Sequence, residues 1–516
     1  MTTSSTKTDV IIIGAGPTGL ALACQLIRYG IDFVIIDSKE TTTAHSKAIG
    51  VQARTLEIYE QIGLADKLVD IGWKAEKARM IVGGQVRGEV DFSDIGRGMS
   101  AYPYVLIVEQ GKHENVIYEF IRSNGRDVRW RTELQSFSQD AEGVTAVVKN
   151  ATGQTETVEA KFLIGCDGAK SPVRHGLGLK FEGSTFERMF YVADVQIDWQ
   201  FENDALMVFL MKNNLLAFFP MVGDKRWRIV GTFPEEFAKD EGDVLYAEIE
   251  EQIKRDAELE LDITNVNWFS TYKVHTRHVN KFSEGRCFLA GDAAHIHTPA
   301  GAQGMNTGIQ DGYNLAWKLA MVLRGADEKA ILDSYNEERL ENAENLLKTT
   351  DRFFNLVASP EPVLSYLRTH VFPYIAGAAF SMDAVKKFVF PRISQIGINY
   401  RHSVMTEHGD DYLEIKAGDR FPYFTLDGAS IYDRLREPKF HLLSFSDGSD
   451  AGIDAGFGHG FEEIADRHEI PISTRITEIF GTDKSFNVLL RPDNYIATIT
   501  GDASLAPIEN YLKRCL

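Results

Sequence analysis

Cysteine is scarce. Four residues in 516, Cys24, Cys166, Cys287 and Cys515, show neither C-x-x-C nor paired spacing. This argues against a disulfide framework and a cysteine zinc site, and fits free thiols in a reducing compartment. No apolar run reaches the length of a membrane-spanning helix, and the polar start Thr2-Thr3-Ser4-Ser5-Thr6 lacks a signal-peptide core. A cytoplasmic protein with no membrane partner is predicted. Positive charge is also in deficit: 55 lysines and arginines against 74 acidic residues leave −19, which argues against nucleic acid and anionic lipid as partners. There is no internal repeat and no low-complexity segment. With 44% hydrophobic and 25% charged residues, the composition is ordinary for a globular chain. The length suits roughly two to four domains.

Val10 to Ile13 is a short apolar run ending at a glycine turn, as in a buried parallel strand. Leu20 to Tyr29 reads as a helix and Phe33 to Ile36 as a second strand ending at Asp37, which together make a βαβ unit. Ala53 to Leu64 reads as another helix, closed by Gly63. Between Thr185 and Phe233 the pattern changes to short strands at Tyr191–Val195, Ala205–Met211, Leu215–Met221 and Arg226–Val230. These predict an antiparallel sheet inserted in an α/β chain. Helical periodicity returns at Asn306 to Leu323, and Asp351 to Pro391 stays apolar and helical. From about Lys416 the pattern is mixed α/β, with a boundary near Arg401 to Asp411.

Three distant motifs make sense around one cofactor. In Gly14-Ala15-Gly16-Pro17-Thr18-Gly19, Gly14 permits a tight turn and Gly16 lets a pyrophosphate approach the backbone. Gly19 lets helix and strand pack closely, and the helix N-terminus adds partial positive charge. Asp37 lies where an acid meets ribose hydroxyls, with Ser38 beside it. The second motif is Cys166-Asp167-Gly168 and the third Gly291-Asp292-Ala293-Ala294-His295. The fingerprint occurs once, so a dedicated second dinucleotide domain is not expected. His295 and His297 have H-x-H spacing but no apparent third ligand, so no metal is expected, and for His297 a structural hydrogen bond is the better reading.

These motifs, with Ser171, Arg174, Gly50 to Glu57, Glu109-Gln110 and Tyr335 to Arg339, resemble the single-component FAD-dependent aromatic hydroxylases, the class A flavoprotein monooxygenases. Gly418 to Pro422 and Arg491-Pro492-Asp493 resemble the extra domain of the phenol hydroxylase and polyketide hydroxylase branch. The resemblance implies a Rossmann-like FAD-binding domain with an inserted antiparallel-sheet substrate domain, a helical segment and a C-terminal thioredoxin-like domain. The expected parts are 1–184 and 272–400 for FAD binding and the helical segment, 185–271 for most of the substrate sheet, and 401–516 for the last domain. That last domain lacks C-x-x-C, so the fold is expected without the redox activity.

The resemblance further implies FAD, with NADPH or NADH as co-substrate, O2, and oxygen transfer to an aromatic ring through a flavin C4a-hydroperoxide. Dimers are common in the family. Gln110 is implied at the ribityl region, Asp292 at a ribityl or phosphate oxygen, and Asp167 at both FAD and nicotinamide. Lys47 stands where many members have arginine, and Arg54 belongs to the same implied cofactor set. Pro299, Gly301, Gly304, Met305 and Asn306 are implied to run past the flavin ring.

In the inserted sheet Leu215, Ala217 and Phe219 share one face of a strand, while Trp227 and Ile229 share a face of the next. This apolar character points to an uncharged phenolic or polycyclic substrate, with Phe219 and Trp227 as pocket candidates beside a sheet-core reading. Tyr191, Asp194 and His275 are candidates for activating a phenol by region alone. The same motifs serve enzymes that inactivate antibiotics or perform Baeyer–Villiger insertion, and a flavin reductase that does not activate oxygen is the alternative class.

Overall fold

The computed structural model describes residues 5–515 apart from 45–47, 213, 235–236, 238, 240–241, 299, 359–360, 410–412, 449–460, 462 and 502–503. The apolar run at the N-terminus forms the strand Ser5–Ile13, which pairs in parallel with Thr155–Gly165 on one side and Phe33–Ile36 on the other. Cys287–Leu289 extends this sheet in parallel beyond Thr155–Gly165, and Val128–Arg129 extends it beyond Phe33–Ile36. The helix Pro17–Arg28 follows the first strand, with proline at its start. It packs on the helix Gly304–Leu323, so these distant parts of the chain share one core. The predicted helix from Ala53 is shorter than its pattern, Ala53–Glu60, because the chain turns before Gly63.

A second eight-stranded sheet runs His295–Ile296, Asp262–Val279, Phe181–Asp198, Arg226–Thr232, Leu215–Pro220, Leu206–Leu210, Lys77–Val82 and Gln85–Asp91. It is antiparallel except where Leu206–Leu210 runs parallel to Lys77–Val82. Its last two strands come from early in the chain, where the sequence pattern had not suggested sheet. One face packs against the helix Tyr246–Ala257 over Tyr191, Phe218, Trp227 and Ile229. Part of the other face meets the helix Phe372–Ser381: Met80, Val90 and Leu210 pack on Ala376. The close approach needs small residues, since a Cβ on Gly377 would lie 2.8 Å from the Glu89 carbonyl oxygen.

The C-terminal part holds a four-stranded sheet in the order Ala465–Pro471, Phe440–Ser446, Phe486–Leu490, Ile496–Thr500. The first pair is parallel and the next two antiparallel, with helices at Thr474–Phe480 and Ala506–Cys515. No helix among the described residues is long and apolar enough to cross a membrane.

Candidate active site

The three motifs meet. Gly14 has φ +103°, a conformation open to glycine, and a Cβ there would overlap the Cys166 carbonyl. The Cys166 amide donates to the Ile13 carbonyl at 2.7 Å, and Ala290 N donates to the Gly165 carbonyl at 3.0 Å. Thr18 packs into the space left by Gly291 and Gly308, so the first and third motifs touch. Gly291 itself has φ +62° and opens the short turn Gly291–Ala293.

The residues fit a dinucleotide. Gly16 faces open space, with nothing within 4 Å of where its Cβ would stand. The helix Pro17–Arg28 has no side-chain cap, and its first backbone bond is Leu20 N to Gly16 O. The amides of Thr18 and Gly19 therefore precede the helical ladder and suit a phosphate. Asp37 accepts from Ala15 N at 2.7 Å and from Lys39 N at 2.8 Å, which places its carboxylate against the glycine turn. Ser38 is exposed beside it. Asp167 accepts from Val173 N at 3.0 Å, while its Oδ1 is buried without a partner and burial raises its pKa. An orphaned oxygen of this kind suits a ligand's hydroxyl or amide. Asp292 is exposed on the turn next to these groups. Gln110 opens the helix Gln110–Ser123 and donates to Glu114 at 2.7 Å. Its neighbour Glu109 pairs with Arg226, tying the second sheet to this edge.

Further along, the helix Gly304–Leu323 starts without a side-chain cap, and its first backbone bond is Thr307 N to Gln303 O at 2.8 Å. Gly301, at φ +75°, carries the chain into it, and Met305 is half-buried at its first turn. The Asn306 side chain is engaged within the protein. It accepts from Gln52 N at 2.9 Å and Thr55 Oγ1 at 2.7 Å, and donates to Gly50 O and Ala302 O. Only its backbone is left for a cofactor. Lys47 and Pro299 lie outside the described residues.

Arg54 corrects the sequence expectation. It is 1% exposed, bonds Glu57 at 3.2 Å and the Asp493 carbonyl at 2.8 Å, and lies over the rings of Tyr313 and Tyr495. Its guanidinium faces the C-terminal unit, since that unit supplies the carbonyl and the ring that hold it.

Sequence reasoning missed Asp311. Its buried carboxylate accepts from Gly291 N at 2.8 Å, meets His295 Nε2 at 2.8 Å, and takes Arg339 Nε at 2.6 Å. Burial pushes its pKa up, but Arg339 and His295 outweigh that and hold it below the usual carboxylate range. A lone aspartate in a helical pattern carries no signal for this. His295 is thus a structural partner. His297 gives its Nδ1 to the Thr298 carbonyl at 2.7 Å, and burial lowers its pKa to about 4.

Strand register sorts the pocket candidates. Phe219 pairs with Arg228, and Arg228 with Asp194, so these three share the face towards Ile49, Ile107 and Met221. Trp227 pairs with Pro220 and Tyr191 with Gly231, on the opposite face within the core under Tyr246–Ala257. Trp227 is sheet core there, against Trp199 and Phe218. Tyr191 is fully buried in that core, facing away from Phe219, and desolvation raises its pKa well above the usual value. His275 bonds Thr185 at 2.8 Å and alternates with Val274 and Tyr272, so it turns away from their face. Asp194 holds Arg228 in a bidentate pair at 2.6 and 2.7 Å, and Arg228 also donates to the Ala48 carbonyl at 3.0 Å.

The FAD binding domain family matches residues 7–350 of this chain. The chain belongs to that family, and it is an FAD-dependent monooxygenase. A flavin-dependent monooxygenase of Mycobacteroides abscessus is 31% identical over 509 residues, covering 95% of this chain and 97% of its own. The 6-methylpretetramide 4-monooxygenase of Streptomyces rimosus is 30% identical over 509 residues, covering 95% and 90%. The structure of aklavinone-11 hydroxylase with FAD and aklavinone superposes on the monooxygenase with a TM-score of 0.82 at 24% identity, covering 99% of each chain. That likeness extends through the C-terminal unit, which is therefore part of the shared fold.

Proposed function

We propose that the enzyme hydroxylates an uncharged phenolic or polycyclic aromatic compound, with NADPH or NADH as electron donor and O2 as oxygen source. FAD, when bound, supplies electron transfer and oxygen activation. Gly14 to Gly19, Asp37, Gln110, Asp167 and Asp292 hold it in this reading, and Gly301 to Asn306 line its ring. The amides of Met305 and Asn306, at a helix N-terminus, favour negative charge on the ring's pyrimidine edge.

The carrying observation for the substrate is the sheet face that bears Leu215, Ala217 and Phe219. Its buried arginine, Arg228, has Nε and Nη2 on Asp194 and Nη1 on Ala48, so it is neutralised and presents no open fork to a carboxylate. Around it stand Phe190, Val192, Val230 and Trp268, which favour ring surface and exclude water. The names of the relatives, a pretetramide monooxygenase among them, support the same class.

The test is NAD(P)H oxidation by the FAD-loaded enzyme across phenols and polycyclic aromatics, with product mass and peroxide followed together. A compound that speeds oxidation and gains one oxygen supports the reading. Oxidation of NAD(P)H with no oxygen incorporated into any compound replaces it with a reductase.

A further inference from the structure

Two sequence motifs of the C-terminal unit, Gly418 to Pro422 and Arg491-Pro492-Asp493, have no part in the catalytic reading so far. Each delivers a buried arginine to a buried glutamate of the flavin-binding part. Arg420 bonds Glu57 through Nε at 2.9 Å and Nη2 at 2.7 Å. Arg491 bonds Glu338 at 2.6 and 3.1 Å and is oriented from behind by Asp493 at 3.0 and 2.6 Å. Asp493 also accepts from Trp317 Nε1 at 3.0 Å.

The two contacts differ in what lies behind them. Glu338, on the helix Glu328–Ala358, is where two helices meet, because it also accepts from Asn314 at 2.6 Å and Lys318 at 2.8 Å on Gly304–Leu323. Asn314 and Lys318 follow Asp311 by three and seven positions and so share its face of that helix. The residue after Glu338 is Arg339, which reaches Asp311 at 2.6 Å and the Tyr400 hydroxyl at 2.7 Å. Asp311 in turn fixes the Gly291 amide and His295. Two runs of charge-assisted bonds, one from Arg491 to Glu338 and one from Arg339 to the third cofactor motif, are thus joined by consecutive residues of one helix. The Arg420 contact ends on Ala53–Glu60, where Glu57 is otherwise held by Ser100 and Arg54, and this helix touches the cofactor loop through the neutral Thr55–Asn306 bond rather than through a buried charge pair.

We propose that Arg491, aligned by Asp493, is a positioning residue for FAD: it sets the spacing of the two helices whose Arg339–Asp311 pair shapes the Gly291–Ala293 turn. The C-terminal unit is then a working part of the cofactor site, acting through charge rather than through thiol chemistry.

Arg491→Lys keeps the charge but loses the fork that serves Glu338 and Asp493 at once. Arg420→Lys is the matched change on the other contact. FAD affinity is measured by quenching of flavin fluorescence, and the hydrogen exchange of the Gly291 amide is followed in both apo-proteins, with Tm as the control. Arg491→Lys is expected to weaken FAD binding about tenfold and speed the Gly291 exchange several-fold, with Arg420→Lys moving either by less than about twofold. Equal effects of the two variants, or unchanged FAD affinity in Arg491→Lys, overturn the proposal.

Discussion

The FAD-binding part and the inserted antiparallel sheet both bury arginines, but they use them differently. In the FAD-binding part and at its seam with the C-terminal unit the charges are linked. Arg339, Asp311 and His295 form one run, while Arg491, Glu338, Lys318 and Asp493 form another, all 2% exposed or less. In the sheet, Arg228 and Asp194 form a closed pair on an aromatic and aliphatic face. A linked network fixes helices relative to one another, which a cofactor with many polar atoms requires. A closed pair leaves a face electrically quiet, which suits a neutral ring.

The sharpest way to break this contrast is at Asp311. Asp311→Asn leaves Arg339 buried against a neutral partner and is expected to cost about 3–5 kcal/mol. Flavin content after gel filtration should fall with it; a flavin-replete, fully stable variant would show that the network is dispensable. In the sheet, Trp227→Ala is expected to cost about 3–5 kcal/mol as a core cavity. Phe219→Ala on the other face should cost less stability but raise the peroxide formed per NAD(P)H. The reverse assignment of those two effects would mean that the substrate lies on the Trp227 side.

Acid provides a smaller, graded test. Burial lowers His113 and His441 to about 3 and His297 to about 4. Below the ordinary histidine value of about 6.5 the unfolded chain takes up protons that these folded groups refuse. Their contribution is therefore intact above about pH 6.5 and erodes as pH falls towards 4, by up to about 1.4 kcal/mol per pH unit for each histidine. Urea midpoints between pH 7 and 5 check this, and His441→Gln should flatten the slope.

Replacing the closed pair by Asp194→Leu with Arg228→Met should stay within about 2 kcal/mol of the parent, whereas Asp194→Asn alone should fall further. The smallest effect belongs to Tyr191→Phe. Its hydroxyl has no partner, so stability should change by less than about 0.5 kcal/mol and the pH profile of kcat should not move.

The backbone geometry of the glycine motifs was legible from the chain. Gly14, Gly16, Gly19 and Gly291 are dictated by local backbone geometry, and local geometry is written in consecutive residues. Two of the parallel strands, at Val10 to Ile13 and Phe33 to Ile36, announced themselves as apolar runs, whereas Val128–Arg129, Thr155–Gly165 and Cys287–Leu289 did not. Arg54 was misread and Asp311 overlooked because each takes its meaning from a partner 439 or 28 positions away. Trp227 and Phe219 looked equivalent because alternation along a strand gives two faces but does not say which face meets which neighbour.

The sequence by itself determined the βαβ start, the single dinucleotide fingerprint and the family, since these rest on short-range spacing and on backbone groups. Only the tertiary structure decided that Asp194 neutralises Arg228, that Tyr191, Trp227 and His275 turn away from Phe219, and that Arg491 reaches Glu338. Those facts depend on strand register and on buried charges finding partners across the fold, and a buried charge is stable only where such a partner stands.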